Sequence, residues 1–140
     1  MTTSESAAPV HATTVAIGGR GVVIEGPSGS GKSDLALRLI DRGAVLVSDD
    51  YTCLATVGGT LYASAPATIA GRMEVRGVGL VGMTQAGPVP VALAVQLGEP
   101  ERLPEPGTRL LAGIEVPAVT LAALEPSAPI KVELALGRLA

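Results

Sequence analysis

Phenylalanine and tryptophan are absent from this chain of 140 residues, tyrosine occurs twice, and cysteine and histidine occur once each. A core without large rings has to be built from Val, Leu, Ile and Ala, which suits β-sheet. The single Cys53 excludes an internal disulfide and a multi-cysteine zinc site, leaving a small apolar filler as its ordinary use. Basic residues are few: ten Lys and Arg against thirteen Asp and Glu give a net charge of −3 and a pI near 5.1. They are scattered singly, so no cationic stripe invites nucleic acid or an anionic membrane. Residues 51–71 and 77–98 lack charge altogether, yet Pro66, Pro88, Pro90 and many glycines break them too often for a spanning helix. Residues 1–9 have neither a basic start nor an apolar run, which argues against a secretion signal and for a flexible tail. The expectation is therefore a cytoplasmic protein with one domain over 10–140, a length that suits a single core.

What the chain does contain is glycine in a telling place. In "IEGPSGSGKSDLAL" (24–37) a glycine-rich bend stands between an apolar run and helix-forming residues, and holds one of only two lysines. Gly26, Pro27, Ser28, Gly29, Ser30, Gly31, Lys32 and Ser33 fit the G-x-x-x-x-G-K-S spacing of a phosphate-cradling P-loop (Walker A). In such a loop successive N–H groups and a helix N-terminus receive the phosphates, the lysine meets the terminal ones, and the serine hydroxyl serves Mg²⁺. A tight strand-to-helix turn would use the same glycines; the strand before and the helix after favour the nucleotide reading.

The flanks carry the expected periods. Thr13–Ile17 and Gly21–Glu25 read as strands joined at Gly18-Gly19-Arg20. Lys32–Arg42 reads as an amphipathic helix with Asp34 and Arg38 spaced i,i+4, and Gly43 as its left-handed stop. Ala44–Ser48 is a strand that runs into Asp49 and Asp50. Further strands are predicted on both sides of Gly58-Gly59 and over 78–83, 89–97 and 116–121. Thr68–Met73 suits a helical turn or two, Glu99–Gly107 an exposed connection, and Ser127 a cap for a closing helix.

Asp49 and Asp50 are half of the chain's aspartates and end a strand where an NTP-binding sheet opens to its ligand. On an extended segment adjacent side chains point to opposite sides, which would leave one near the metal and one facing an acceptor hydroxyl. A polar turn would use "SDDY" equally well. Glu74, between Arg72 and Arg76, suits either a surface ion pair or a second carboxylate on the metal, with arginines to grip phosphate. His11, alone before the first strand, carries no chemistry on its own.

Together, His11, "GPSGSGKS", "RGAVLVSDD" and "MEVRGVGLVG" resemble the catalytic domain of HPr kinase/phosphorylase, the bacterial enzyme acting on a serine of the phosphocarrier HPr. The likeness extends to "LLAGIEVPAVTL" and is weaker past Gly82. It implies an α/β P-loop domain related to phosphoenolpyruvate carboxykinases, a mixed sheet with a P-loop helix and a C-terminal helix. It also implies ATP and Mg²⁺ as cofactors and an HPr-like phosphocarrier as partner. His11 and Lys32 become active-site residues, Asp50 the base, Asp49 its neighbour, and Ser33 with Glu74 the metal ligands. The chain resembles a shortened proteobacterial form without the N-terminal domain, so a homo-oligomer is compatible with the likeness and not implied by it. Where that family carries a glycine-arginine-asparagine loop this chain reads "LEPSAP" (124–129), which weakens the reverse, dephosphorylating reaction. A nucleotide-binding regulatory module with little or no transfer is the alternative, and a small-molecule kinase a third reading.

Overall fold

The computed structural model describes residues 3–5 and 9–139. Strands β1 (Thr3–Glu5), β2 (Ala12–Ile17) and β3 (Arg20–Glu25) are followed by helix α1 (Lys32–Asp41) and β4 (Val45–Ser48). Next come β5 (Cys53–Val57), β6 (Thr60–Ser64), β7 (Arg72–Val75), β8 (Gly79–Gly82), β9 (Val89–Leu97), β10 (Gly107–Leu111), β11 (Ile114–Leu121) and helix α2 (Ala128–Gly137). Nine strands form one sheet in the order β1-β5-β6-β9-β3-β2-β4, with β11 also on β9 and β10 on β11, while β7 and β8 pair separately. The sheet is mixed: β9 runs parallel to β3 and β11, and β2 runs antiparallel to β3 and β4.

Two hairpins follow from glycine pairs. Gly18 and Gly19 take φ of 58° and 79°, and Gly58 and Gly59 take 59° and 81°; a two-residue turn with both φ positive matches the twist of the strands it joins. Helix α1 stops as the sequence predicts. Gly43, at φ 112°, donates to Ile40 O and Ala44 donates to Leu39 O, the paired bonds of a Schellman motif.

Strands β3 and β9 are buried on both faces, as parallel strands in mid-sheet are. Val22 and Ile24 face the core under the helices with Leu35 and Leu39, while Val23 faces a second core with Leu54 and Val116. The helices are joined by a bidentate pair, Arg42 Nη2 to Glu133 Oε1 at 2.7 Å and Nε to both carboxylate oxygens at 3.1 Å. The hydrogen bond from Arg42 to Glu133 holds the guanidinium pKa above its ordinary value.

Several expectations need correction. Residues 68–71 are turn rather than helix, and Arg72, Met73, Glu74 and Val75 form β7, with Met73 buried against α1. The exposed connection ends at β10, an edge strand whose first residues are all exposed. Ser127 makes no side-chain cap; its carbonyl accepts Lys131 N–H instead. Within the expected tail, Thr3–Glu5 pairs antiparallel with β5, and residues 1, 2 and 6–8 lie outside the described residues. No helix among the described residues is long and apolar enough to cross a membrane.

Candidate active site

The glycine loop begins where β3 ends. Glu25 accepts hydrogen bonds from Gln96 Nε2 at 2.8 Å and from Arg109 Nε at 3.0 Å and Nη2 at 3.1 Å, so three strands hold the start of the loop. Glu25 was not among the sequence candidates, although a charge closing an apolar strand was a signal for it. Gly26 has to be glycine: an added Cβ would stand 2.6 Å from Ser30 Oγ and 3.0 Å from Leu97 Cβ. Gly29 and Gly31 adopt φ of 79° and 101°, and alternating left-handed residues of this kind turn backbone N–H groups into an anion-binding concavity. Lys32 is buried, and its Nζ donates to Gly26 O at 2.8 Å and Pro27 O at 3.1 Å. The ammonium therefore lies along the loop. Ser30 Oγ is buried without a hydrogen-bond partner among the described residues.

Beyond α1, the two aspartates part company. Asp49 is buried, and its Oδ1 accepts from Ser33 Oγ at 2.6 Å and Thr13 Oγ1 at 3.2 Å, while Oδ2 accepts from Glu74 N at 3.3 Å. Asp50 is exposed, with Oδ1 2.9 Å from Nε2 of His11. The sequence suggested that the two diverge because the segment is extended. The divergence is real but has another cause: Tyr51 N–H donates to Asp49 O at 2.8 Å, closing a γ-turn with Asp50 at φ 69° in its centre. A γ-turn of this hand is rare and strained. His11 is beside it, its ring 5.2 Å from that of Tyr51.

The β7–β8 hairpin supplies the facing wall. Buried Met73 anchors it to the core, which leaves Glu74 exposed, and Arg72 donates to Thr68 O at 2.7 Å. Lys32, Ser33, Asp50, Glu74, Arg76 and Leu124 all line one cleft of about 800 Å³. His11 and Asp49 adjoin that cleft through Asp50 and Ser33. Thr13, which touches both aspartates, gave no signal in the sequence, being one more β-branched residue in a strand.

This arrangement suits a polyphosphate. The loop provides left-handed glycines that turn N–H groups to one side, a lysine already partnered by loop oxygens, and a hydroxyl–carboxylate pair, Ser33 and Asp49, of the hard oxygen type that Mg²⁺ takes. The exposed carboxylate of Asp50 stands at the same cleft, with Oδ1 2.9 Å from His11 Nε2.

Residues 3–87 match the family model described as the HPr Serine kinase C-terminal domain. The chain is 43% identical over 76 residues to an HPr kinase/phosphorylase of Clostridium botulinum, covering 54% of this chain and 25% of that protein. It is 35% identical over 127 residues to one from Brevibacillus brevis, covering 80% of this chain and 41% of the relative. The chain thus spans less than half the length of these relatives. A solved structure of the Hpr(Ser) kinase/phosphatase from Coxiella burnetii superimposes with a TM-score of 0.80 at 29% identity, covering 92% of this chain and 93% of that one.

Proposed function

The chain belongs to the family of the HPr Serine kinase C-terminal domain, and from that premise we propose that it is a cytoplasmic, ATP- and Mg²⁺-dependent protein serine kinase whose substrate is an HPr-like phosphocarrier. The observation that carries this reading is the convergence of Lys32, Ser33, Asp50 and Glu74 on one cleft. The loop amides and Lys32 bind the phosphates of ATP, and Lys32 offsets charge as the γ-phosphoryl leaves. Ser33 and Glu74, together with Asp49, would hold Mg²⁺, which when bound neutralises phosphate charge. Asp50 accepts the serine proton as the oxygen attacks, and His11 keeps that carboxylate turned to the cleft. Little covalent work falls to the protein in such a transfer, because positioning and electrostatics dominate.

The alternative, a nucleotide-binding regulatory module without transfer, draws on one observation. Leu124, an exposed apolar residue of "LEPSAP", stands on the cleft wall where the resemblance calls for an arginine loop. The same substitution argues for weak reversal.

Incubation with labelled ATP, Mg²⁺ and purified HPr, with a serine-to-alanine HPr as control, separates the two. The kinase reading expects label on HPr alone, and ATP binding without label supports the module. Asp50→Asn is expected to lower transfer by roughly 10²- to 10⁴-fold, the usual worth of a general base, with ATP binding retained. Unchanged transfer would remove Asp50 from its role.

A further inference from the structure

The γ-turn at Asp50 is held by side chains of another strand. Thr13, in β2 and fully buried, donates its hydroxyl hydrogen to Asp49 Oδ1 at 3.2 Å and accepts Asp50 N–H at 3.1 Å. One hydroxyl thus ties the buried carboxylate to the backbone of the exposed one. Ser48 Oγ donates to Tyr51 O across the same turn. The far side is fastened to β2 as well. Thr52 and Val10 exchange backbone bonds at 2.9 Å, and Thr52 Oγ1 donates to Ala12 O at 2.9 Å. Because Thr52 has only that hydrogen to give, Thr14 Oγ1 is the donor in the 2.9 Å bond between the two threonines.

These contacts do more than satisfy buried groups. Thr52, Ala12 and Val10 would hold the segment in place with any residue at 13. What Thr13 alone does is link Asp49, bonded to the loop serine Ser33, with the backbone that aims Asp50. We propose that Thr13 is a positioning residue that sets the Asp50 carboxylate relative to Ser33 and Asp49, acting through the γ-turn and touching neither substrate. The inference rests on the kinase reading of Asp50. It goes beyond it in naming what holds that carboxylate in place.

Thr13→Val keeps the shape and removes the hydroxyl. For HPr phosphorylation, kcat is expected to fall roughly 10- to 100-fold, the size of loss seen when the partner behind a metal-binding side chain is removed, while affinity for ATP without Mg²⁺ stays within about twofold because the loop backbone and Lys32 are untouched. Thr13→Ser, which restores the hydroxyl, should recover kcat to within about threefold of wild type. A readout independent of activity is hydrogen exchange. In Thr13→Val the Asp50 amide should exchange on the order of tenfold faster or more, with the Thr52 amide still protected. Wild-type kcat in Thr13→Val, no recovery in Thr13→Ser, or unchanged protection of the Asp50 amide would each overturn the proposal. If Thr13→Val does not fold, Thr13→Ala, which also lacks the hydroxyl, takes its place with the same expected kcat-selective loss, and a wild-type kcat there overturns the proposal equally. Asp50→Asn in parallel keeps the two claims apart. Lost transfer in Asp50→Asn beside normal transfer in Thr13→Val sinks only the positioning role, whereas normal transfer in Asp50→Asn sinks the reading beneath it.

Discussion

After β3 the chain turns on Gly29 and Gly31, at φ of 79° and 101°, where the absence of a side chain makes the left-handed backbone easy. After β4 it turns on Asp50, at φ 69° with a full side chain, where that region is disfavoured. The first bend is written locally, in glycines next to one another in the chain. The second is held from outside by Thr13, Ser48 and His11, two of them in or beside a strand that lies more than thirty residues earlier. A bend that has only to present N–H groups needs no side chains. A bend that has to aim a carboxylate cannot use glycine at its centre, so the strain is retained and offset by hydrogen bonds. Strain kept at one residue and compensated by its surroundings is the pattern expected of a functional site.

The comparison breaks most visibly at the loop lysine. Lys32→Met leaves the glycine bend in place but removes its one charge, and transfer should fall on the order of 10³-fold with weaker ATP binding, read by steady-state kinetics and by titration with nucleotide. Full transfer in that variant would remove the loop from the site.

Next in size is Gly31→Ala. At φ 101° an added Cβ would stand 3.1 Å from Ala123 Cβ, so strain and crowding combine. A loss of about 1–2 kcal/mol is expected from the backbone alone, seen as a lower urea midpoint together with reduced ATP affinity. An unchanged midpoint would mean that the loop's shape is not set by its glycines.

The smallest effect isolates the second bend. Asp50→Ala and Asp50→Gly both lose the carboxylate and its bond to His11, and differ in tolerance of positive φ, which outweighs the greater freedom of glycine in the unfolded chain. The glycine variant should be the more stable by about 1 kcal/mol, with both inactive in transfer. Equal stabilities would show that the turn relaxes once the carboxylate is gone, and the contrast between the bends would then lie in side chains alone.

Much of the first bend's neighbourhood was legible. The Gly18-Gly19 turn, α1 and its Gly43 stop, and the β5–β6 hairpin follow from residues close in sequence, and β9 has the bounds that its apolar run and the flanking glycine and proline imply. The losses have physical causes. β7 alternates, with Arg72 and Glu74 outward and Met73 and Val75 inward, but over four residues only and beside a partner rich in glycine, which is too short a run to read as a strand. Exposed β10 follows a proline-rich stretch and has a single buried residue, Leu111. Of the site, the loop and the aspartate pair were visible as residue types, and resemblance alone pointed to His11. The ties that place them, from Thr13 to both aspartates and from Arg109 to Glu25, join residues far apart in the chain.

By itself, then, the sequence determined where the backbone bends and which groups are at hand. Glycine, helical period and strand alternation act over a few residues and require no knowledge of the rest of the chain. Only the tertiary structure decided which way the carboxylates point. Asp49 turns to Ser33 and Asp50 to His11 because β2 packs beside β4 and brings a buried hydroxyl between them, and a hydrogen bond between distant residues exists only once the sheet has formed.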